Sequence, residues 1–514
     1  MEYLTDSRQA KAIDTYTIGQ TGIPSLVLME RASLAVAACA EKMAASFSGK
    51  GTAICSVCGS GNNGGDGIAA ARILFGRGYD VTIVLACQRE KMSEDGRRQL
   101  AIAENMAVPV VNEADLGAYN IIIDALFGIG LSRDVQGHYA EWIQSMNEAG
   151  RNGSRIIAVD IPSGIHTDTG AVMGTAVCAD ATVTFGYMKL GMVFYPGASY
   201  AGKIFCEDIG FDRQAEKAAG LRYVTYTLKD RERLPLRRPD SNKGTYGRVL
   251  VAAGSRNMAG AACFSASAAY RMGSGLVTVY TSESNRMIVQ GIIPEAVLKT
   301  YDDDEPDMQV LEEQISGCSV IVLGPGLGRS RAAETIVRTV MEKAACPLVI
   351  DADALNILSE HPQWMASCHA PAAITPHLKE LSRLTGHNIQ YLKENLVQVC
   401  EDFSQQNGVI CIAKDARTIV VDDSETIYVN MSGNNGMSTG GSGDVLTGMI
   451  AGLCAQGMSL ESASRLGVYL HGLAGDLAAE RMGVHAMTAS DILKAVPDLL
   501  KNIEEQQNNK KADI

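Results

Sequence analysis

Residues 52–87 have the sequence TAICSVCGSGNNGGDGIAAARILFGRGYDVTIVLAC, and this stretch indicates the architecture of the chain. It begins with a short apolar run, passes through a glycine-rich loop, and continues with the apolar spacing of a helix. A second apolar, β-branched run follows RGYD. A strand, a helix and a strand in succession form the unit from which parallel sheets covered by helices are built. The stretch therefore predicts an α/β domain of Rossmann-like type.

The same alternation extends along the chain in two blocks. Apolar runs alternate with helical patterns from about residue 50 to residue 210, and again from GRVLVAAGS to a helical tail expected over 464–501. Between the blocks lies a charged segment with two prolines, DRQAEKAAGLRYVTYTLKDRERLPLRRPDSNKGTYG. We place the boundary there and predict two α/β domains, 1–220 and 221–514. The polar end, EEQQNNKKADI, is expected to fray.

The composition is that of a soluble globular protein. Of 514 residues, 46% are hydrophobic, and no apolar run approaches the roughly 20 residues that span a membrane. The formal net charge of −13 argues against nucleic acid, whose partners carry a basic face. The 13 cysteines are an odd number in mainly apolar stretches, which fits a reducing cytoplasm. Cys55 and Cys58 are expected to be core thiols.

Polar residues of the first block follow the ends of predicted strands. The loop GSGNNGGDG follows the first strand, Asp124 ends the run IIID, and VDIPSG places Asp160 and Ser163 after a later strand. Ligands of open α/β sheets bind at this edge. Asn, Asp and Gly also fill ordinary turns, which is the alternative for each of these segments. Together, Asn63, Asp124 and Ser163 offer hard oxygen ligands for a cation.

The glycine loop of the first block also raises a dehydrogenase as a rival interpretation. Gly59, Gly61 and Gly64 match G-x-G-x-x-G, the fingerprint of dinucleotide-binding folds. That fingerprint needs an acidic residue about 20 residues on, at the end of the second strand, to hold the ribose. Here the candidate, Asp80, opens that strand instead. The match to a dehydrogenase is therefore poor.

In the second block, MSTGGSGDVLTGMIAG at residues 437–452 sets glycines around one carboxylate, Asp444, before an apolar helical run. One interpretation is an ordinary N-cap, because Asp commonly caps a helix start. The other is that Gly440, Gly441 and Gly443 expose backbone N–H groups at the positive end of a helix and hold an anion, with Asp444 beside it as a base. The local pattern leaves both open.

A nucleotide bound by the second block would not use a Walker loop, since no G-x-x-x-x-G-K-[ST] is present. Candidates besides the glycine loop are the GPGLG turn, Gly324–Gly328, and Lys414 to Thr418 after the strand GVICIA. Taken alone, Lys414 is better explained as an exposed lysine at a strand end. In TPHLKE, His377 and Glu380 stand at a helix start, where a surface histidine is the ordinary alternative and a cap explains the pattern only loosely.

Taken together, the motifs resemble two enzyme families joined in one chain. The first block, with GNNGGDG, IIIDALFGIGL and VDIPSG, resembles the epimerases that interconvert the R and S forms of hydrated NADH and NADPH. The second, with NKGTYGRVLVAAGS, GPGLG, DADALN, TPHLKE and NNGMSTGGSGDVLTG, is similar to the nucleotide-dependent NAD(P)H-hydrate dehydratases. The resemblance covers roughly residues 1–500. It implies a Rossmann-like three-layer sandwich followed by a ribokinase-like α/β domain, and a bifunctional enzyme of nicotinamide-nucleotide repair.

For the epimerase half, the resemblance implies residues for catalysis, for a cation and for the dinucleotide. Asp160 would be the acid–base residue at C6 of the hydrated ring, with Lys189 as a helper. A potassium ion, K⁺, would bind Asn63, Asp124 and Ser163 and shape the loop. The NAD(P)H hydrate would be held by Asn62, Asn63, Gly64, Gly65, Asp66, Gly128, Ile129, Gly130, Leu131, Ser132, Arg133, Asp134, Tyr139 and Asp160.

For the dehydratase half, the resemblance implies that Asp444 accepts the proton of the substrate hydroxyl while adjacent N–H groups hold the transferred phosphoryl group. The helix start is expected to lower the pKa of Asp444 and keep it ionised. ADP would be the cosubstrate, giving AMP and phosphate, with Mg²⁺ beside it. The hydrate would contact Gly260, Gly326, His377 and Asp444, and ADP would contact Lys414, Asp415, Ala416, Arg417, Thr418 and Gly443. Asp415 departs from the small residue that the family has after this lysine.

Two other classes stay open at this point. The second block could be an ATP-dependent vitamin or sugar kinase that releases a phosphorylated product. The first block would then be an appended, non-catalytic nucleotide-binding module. Product analysis distinguishes the kinase, and an R-to-S conversion assay distinguishes the module. We expect NAD(P)H hydrates and ADP as the partners, no nucleic acid, no membrane, and a cytoplasmic homo-oligomer whose number of copies the sequence does not give.

Overall fold

The computed structural model describes residues 1–512 except Ser48 and Asp304. The chain divides into two units, one of Tyr3–Tyr223 and the other of Val224–Ile514 with Met1–Glu2. Each has a parallel sheet with helices, so the predicted α/β class is confirmed. Among the described residues, we find no helix with the length and apolar character needed to cross a bilayer.

The first part of the chain alternates strands and helices. Its strands are β1 (Glu2–Thr5), β2 (Ala53–Cys58), β3 (Asp80–Leu85), β4 (Val110–Val111), β5 (Ile121–Ala125), β6 (Arg155–Val159), β7 (Ala181–Phe185), β8 (Met188–Lys189), β9 (Lys203–Glu207) and β10 (Tyr223–Thr225). Its helices are α1 (Ser7–Gly19), α2 (Ser25–Ala44), α3 (Asn62–Gly76), α4 (Glu94–Asn105), α5 (His138–Arg151) and α6 (Arg213–Ala219).

The main sheet of the first unit has the order β4-β3-β2-β5-β6-β7-β9. Every pair in it is parallel. On one side of the sheet the strands continue from β2 through β3 to β4, and on the other side they continue from β5 through β6 and β7 to β9. Such a reversal opens a crevice beyond the carboxyl ends of the two strands, and this is where open α/β sheets bind ligands. Strands β1 and β8 form a further parallel pair, with Leu4 opposite Met188.

Alternate residues of β2 face two separate hydrophobic cores. Ile54 and Cys58 pack with the helices α2 and α3, whereas Cys55 and Val57 pack with α5. Successive side chains of a strand point to opposite faces, so the sheet lies between two helical layers. Both faces are therefore apolar, which explains why β2 has an almost continuous apolar run. Cys55 and Cys58 are buried free thiols, as expected of core residues.

The second part of the chain is longer and follows the same pattern. Its strands are β11 (Arg248–Ala252), β12 (Leu276–Ser282), β13 (Val297–Tyr301), β14 (Val320–Leu323), β15 (Leu348–Ile350), β16 (Ala372–Ile374), β17 (Val409–Ala413), β18 (Ile419–Val421) and β19 (Ile427–Val429). Its helices are α7 (Ala259–Arg271), α8 (Arg286–Ile292), α9 (Met308–Ser316), α10 (Arg331–Lys343), α11 (Asp353–Glu360), α12 (Gln363–Ala366), α13 (Leu378–Thr385), α14 (Ile389–Asn407), α15 (Ser442–Ala455), α16 (Leu460–Met482) and α17 (Ala489–Ala512).

The sheet of the second unit contains the run β13-β12-β11-β14-β15-β16-β17-β18-β19. Its pairs are parallel from β13 to β17, and β18 and β19 continue the sheet as antiparallel strands. Helix α15 packs so closely on α7 that a Cβ on Gly448 would lie only 2.1 Å from the carbonyl oxygen of Ser265. A Cβ on Gly452 would lie 2.7 Å from that of Ala269. These contacts fix the position of the glycine loop at the start of α15.

The C-terminal region differs from the sequence prediction. The helical tail expected over 464–501 is two helices, α16 and α17, and Gly483 at the end of α16 has a φ of +73°. A left-handed residue of this kind ends a helix. The segment expected to fray is helical as far as Ala512, and the last two residues of that segment lie outside the described residues.

Candidate active sites

The first site lies in the crevice between β2 and β5. Helix α3 begins there at Asn62, and its N-cap, Gly61, makes no side-chain capping bond. The first N–H groups of α3 therefore point from the positive end of the helix, where a phosphate group binds well. Gly64 permits the tight loop, because a Cβ on it would lie 2.0 Å from the carbonyl oxygen of Gly59.

A cavity of about 160 Å³ lies beside the start of α3. It brings together Asn62 and Asp66 from the glycine loop, Gly128 from the loop after β5, and the predicted pair Asp160 and Lys189. Asn63 and Ile129 also line this cavity. Within the described part of the chain, its wall does not include the other predicted binding residues, which are Gly64, Gly65, Gly130, Leu131, Ser132, Arg133, Asp134 and Tyr139.

Tyr139 lies in the first turn of α5. Its ring meets that of Phe127 edge-on, with 4.9 Å between the ring centroids. Burial raises the pKa of its hydroxyl. The contact with Phe127 places Tyr139 next to the loop that continues from β5 into Gly128, so it stands beside the predicted dinucleotide-binding segment.

Lys189 and Asp160 form an ion pair at the cavity wall. The Lys189 side chain is only 4% exposed, and its ammonium donates to the Asp160 carboxylate, to the Thr184 hydroxyl at 2.9 Å and to the Phe185 carbonyl at 3.1 Å. Asp160 has a φ of +66°, an uncommon conformation for a residue other than glycine. Local strain of this kind is concentrated at functional sites, because the surrounding structure must hold it in place.

Asp124 and Ser163 are joined by hydrogen bonds below the same crevice. The Ser163 hydroxyl donates to Asp124 Oδ1 at 2.6 Å, and the Ser163 N–H donates to Oδ2 at 2.8 Å. Both residues are buried, and burial raises the pKa of Asp124 to about 6 against the lowering effect of these bonds. Asn63 reaches the same loop, since a Cβ on Gly128 would lie 3.4 Å from Asn63 Oδ1. Its Nδ2 is buried and has no hydrogen-bond partner among the described residues.

The second site is built on the start of α15. The N-cap of this helix is Gly441, with a φ of +91° and no side-chain capping bond, and Asp444 lies in the first turn. The N-cap interpretation of Asp444 is therefore wrong. The expected lowering of its pKa is also wrong, because burial and then the negative charge of Asp351 raise the pKa of Asp444 to about 6. The positive end of the helix lowers the pKa of this carboxylate less than the loss of surrounding water raises it.

Asp351 connects Lys414 to α15. The Lys414 ammonium donates to Asp351 Oδ1 at 2.7 Å, and the Thr447 hydroxyl donates to Oδ2 at 3.0 Å. Lys414 is 20% exposed and Asp351 2% exposed, so the interpretation of Lys414 as an exposed strand-end lysine is wrong. A Cβ on Gly443 would lie 3.0 Å from the Lys414 Nζ. The glycine therefore lets the ammonium approach the backbone of the anion loop.

His377 caps α13 and lies beside Lys414. Its Nδ1 accepts from the N–H groups of Lys379 and Glu380, and the Glu380 carboxylate accepts from the His377 N–H at 2.9 Å. The sequence pattern had explained a cap only loosely, and the structure shows a reciprocal one. His377 is paired with Lys414 in a short parallel bridge. Burial, followed by the charge of Lys414, lowers the pKa of His377.

The remaining predicted residues lie in two loops and a helix start. Gly326 in the GPGLG turn approaches α7, where a Cβ on it would lie 2.8 Å from the Ala261 Cβ, next to Gly260. The Gly328 N–H donates to the Asp353 carboxylate at 2.8 Å, and this carboxylate raises the pKa of Asp444. The predicted nucleotide residues Asp415, Ala416, Arg417 and Thr418 form the connection from β17 to β18.

Sequence reasoning passed over three residues of these sites: Asp14 in the first cavity, and Asp351 and Thr447 in the second site. Asp351 directly follows β15, and the rule applied to the first block, that polar residues after parallel strands form the site, would have found it. Asp14 lies inside a helix, where no local pattern distinguishes a ligand-facing carboxylate from a solvated one.

The two halves of the chain match two family models. Residues 25–191 match the model described as YjeF-related protein N-terminus. Residues 249–498 match the model described as NAD(P)H-hydrate dehydratase. The matched ranges contain the first cavity's Asp160 and Lys189 and the second site's Asp351, Lys414 and Asp444.

Curated relatives align along nearly the whole chain. The bifunctional NAD(P)H-hydrate repair enzyme of Thermofilum pendens is 34% identical over 512 residues, which is 97% of this chain and 96% of the relative. The enzyme of the same name from Moorella thermoacetica is 35% identical, with 98% of each chain covered. The one from Coxiella burnetii is 36% identical, with 96% of this chain and 98% of its own covered.

Among solved structures, a hypothetical protein from Streptococcus mutans is similar over 55% of this chain and 99% of its own, with 28% identity and a TM-score of 0.50. The ADP/ATP-dependent NAD(P)H-hydrate dehydratase of Bacillus subtilis, co-crystallised with ATP and Mg²⁺, covers 54% of this chain with 28% identity and a TM-score of 0.48.

Proposed function

The chain belongs to the family of bifunctional NAD(P)H-hydrate repair enzymes, and we infer that its two sites divide the repair of a damaged cofactor between them. The protein epimerises the R and S forms of hydrated NADH and NADPH and dehydrates the S form back to NADH or NADPH. We assign epimerisation to residues 1–220 and dehydration to residues 221–514. The two family matches, which fall on either side of this boundary, support the division.

Dehydration needs a better leaving group than hydroxide. The hydrated ring carries a hydroxyl on C6, and transfer of a phosphoryl group to its oxygen makes that oxygen part of a good leaving group. The ring nitrogen then donates its electron pair, phosphate leaves C6, and a proton lost from C5 restores the double bond of NAD(P)H. The phosphoryl donor is ADP, which becomes AMP, so the net reaction is a dehydration driven by nucleotide hydrolysis.

Asp444 is the base of the phosphoryl transfer, and the start of α15 holds the phosphoryl group. The observation that carries this assignment is a partly buried carboxylate in the first turn of a helix whose first N–H groups have no side-chain cap. The carboxylate takes the proton of the C6 hydroxyl as that oxygen attacks phosphorus. Lys414, held by Asp351, places its positive charge beside the same loop and stabilises the negative charge that is transferred.

The other predicted residues position the two substrates of the dehydratase. The connection from Lys414 to Thr418 contacts ADP, and Gly260, Gly326 and His377 contact the hydrate. Mg²⁺ bound with the nucleotide would neutralise phosphate charge. The described residues contain no cluster of three His, Cys, Asp or Glu that could hold a metal. The nucleotide's own phosphates would therefore provide most of the ligands of this ion, as is common for Mg²⁺.

The first cavity is the epimerase site. The start of α3, from Asn62 to Asp66, and the loop from Gly128 to Asp134 bind the pyrophosphate of the hydrate, with Tyr139 beside them. Asp160 exchanges protons with the C6 hydroxyl, and Lys189 holds its carboxylate in place. The buried ion pair and the strained backbone at Asp160 support this role.

Asn63, Asp124 and Ser163 form a site that fits K⁺. Their oxygens are hard ligands, one carboxylate supplies the negative charge, and the Asn63 Nδ2 lacks a partner that would fix the amide. A bound K⁺ would shape the loop around the pyrophosphate. We expect K⁺ to raise the unfolding temperature of the protein more than Na⁺ does, because it binds only the folded state. Asp124→Asn should abolish the difference, and an equal effect of both ions on the unchanged protein would contradict the site.

The test of the proposed function is a product analysis with separated hydrate epimers. We expect the R form to convert to the S form without nucleotide, and the S form to yield NADPH, AMP and phosphate only when ADP is added. Asp444→Ala should lower dehydration by about 10²-fold or more and leave epimerisation intact, whereas Asp160→Ala should do the reverse. A stable phosphorylated product made with ATP would indicate a vitamin or sugar kinase and contradict the assignment.

A further inference from the structure

Helix α1 presents a carboxylate, Asp14, to the wall of the first cavity. Ala10, Ile13 and Ile18 of the same helix line the cavity with it, so one face of α1 forms part of the wall. Asp14 is partly buried, and its carboxylate has no hydrogen-bond partner or ion pair among the described residues. Asp160 in the same cavity, in contrast, accepts from Lys189 and Thr184.

The cavity holds more negative than positive charge. Its ionisable lining residues are Asp14, Asp66, Asp95, Asp160, Tyr187 and Lys189. The single ammonium, on Lys189, is paired with Asp160, and Asp95 accepts a hydrogen bond from the Ser25 hydroxyl. Burial first, and then the charge of Asp160, raises the pKa of Asp14 to about 6, so Asp14 exchanges its proton close to neutral pH.

We propose that Asp14 is a second catalytic acid–base residue of the epimerisation, acting on the face of the hydrated ring opposite to Asp160. This inference rests on the proposed function of the first cavity. Inversion at C6 by loss and re-addition of water requires a proton on the oxygen that leaves one face and a base for the water that adds to the other. Of the four aspartates in the cavity, Asp160, which is paired with a cation, and Asp14, on helix α1 and without a partner, meet this requirement.

The step balances in atoms and electrons. Asp14 donates its proton to the C6 hydroxyl, and the C6–O bond breaks with its electron pair on oxygen, which leaves as water. The ring nitrogen provides the electron pair of a new N1=C6 double bond. A water molecule on the other face then attacks C6, gives its proton to Asp160, and returns the N1=C6 pair to nitrogen. In the reverse direction the two carboxylates exchange roles, and no oxidant or reductant is needed.

The test measures R-to-S conversion of NADPH hydrate by the full-length protein without ADP. Asp14→Asn should lower kcat by about 10²-fold or more and change KM little, because it keeps the shape and removes the exchangeable proton. The wild-type kcat should fall as the pH rises above about 6, where Asp14 loses its proton, and Asp14→Asn should lack this decrease. Asp14→Glu should restore part of the rate. Lys11→Gln, on the exposed side of the same helix, is the matched control and should behave as the wild type.

A second readout follows the oxygen atom. Conversion in water enriched in oxygen-18 should place one solvent oxygen on C6 for each inversion, whereas opening and closing of the ring would retain the original atom. Retention of that atom, or an Asp14→Asn variant with the wild-type rate and pH profile, would overturn the proposal. So would a parallel loss of hydrate binding and rate, which indicates a structural role for Asp14. If Asp160→Ala keeps full epimerase activity, the assignment of the cavity itself fails, which is a different result.

Discussion

At the scale of single residues, burial determines how Asp444 acts as a base. Its pKa is raised to about 6, so the carboxylate is protonated below that pH and cannot take the proton of the hydrate. We expect ADP-driven dehydration to increase as the pH rises through about 6 and to level off above it. Initial rates with the S hydrate over this interval measure the effect. A rate that decreases through the same interval would show that Asp444 must be protonated to act, and would exclude it as the base.

A second prediction at this scale concerns Asp351, whose carboxylate accepts a hydrogen bond from Lys414 but takes no part in the reaction itself. Asp351→Asn removes the charge that faces the ammonium, so we expect the KM for ADP to rise about tenfold, while the protein remains folded. Thr447→Val is the comparison, because it keeps the Asp351 charge and removes the hydrogen bonds that the Thr447 hydroxyl donates to Asp351 and to the Gly443 carbonyl. Equal effects of the two variants on the KM for ADP would mean that the packing around Asp351, and not its charge, positions the loop.

The predictability of the sites from sequence also depends on single residues. Asp124 and Ser163 are far apart in sequence, yet one lies at the carboxyl end of β5 and the other follows β6, and the structure joins them at 2.6 Å because these strand ends meet at one edge of the sheet. Lys414 looked like a surface residue because its ion-pair partner, Asp351, comes from another strand. His377 is exposed, as the surface alternative predicts, and its ring also caps α13. The direction of the Asp444 pKa was wrong, since local sequence shows the helix start but not the extent of burial.

At the scale of elements, the contact between α15 and α7 fixes the anion loop, and Gly448 makes it possible. Gly448→Ala should destabilise the second unit by about 1–3 kcal/mol and displace the loop, because its Cβ would meet the Ser265 carbonyl at 2.1 Å. Urea unfolding together with the ADP-dependent rate measures both effects. Gly291→Ala is the control, since nothing lies within 4 Å of a Cβ there. Comparable losses in the two variants would contradict the close-packing argument.

The long elements could be predicted from the sequence and the short ones could not. Strands such as β2, β5 and β17 are runs of five or six residues with both faces buried, and they are apolar except for Ser56 in β2 and Asp124 in β5, which gives a clear signal. Strands β4 and β8 have two residues each, too few to show any periodicity. The sequence predicted one tail helix where the structure has α16 and α17. The apolar periodicity continues past Gly483, so the pattern does not show the break that this glycine introduces.

At the scale of the whole molecule, the two activities should be separable between copies of the chain. Asp160→Ala should clear the S half of a racemic hydrate and then slow to the rate of spontaneous epimerisation. Asp444→Ala should interconvert the epimers and clear neither. A mixture of the two full-length variants should clear the racemate, because the S hydrate released by one copy diffuses to another. The yield of NADPH measures the outcome, and a mixture that stalls at half would show that the hydrate passes only between sites of the same chain.

The close packing of α15 against α7 also affects the thermodynamics of ligand binding. A binding loop that is ordered before its ligand arrives loses little conformational entropy when the ligand binds, so more of the contact energy remains as affinity. The backbone contacts at Gly448 and Gly452 place the start of α15 in this class. The hydrogen-bonded amides of this helix beyond its first turn should therefore exchange with deuterium slowly in the free protein, and ADP should slow them little further. Most of the entropy that is lost when the complex forms is then lost by the nucleotide and the hydrate, and little of it by the protein loop.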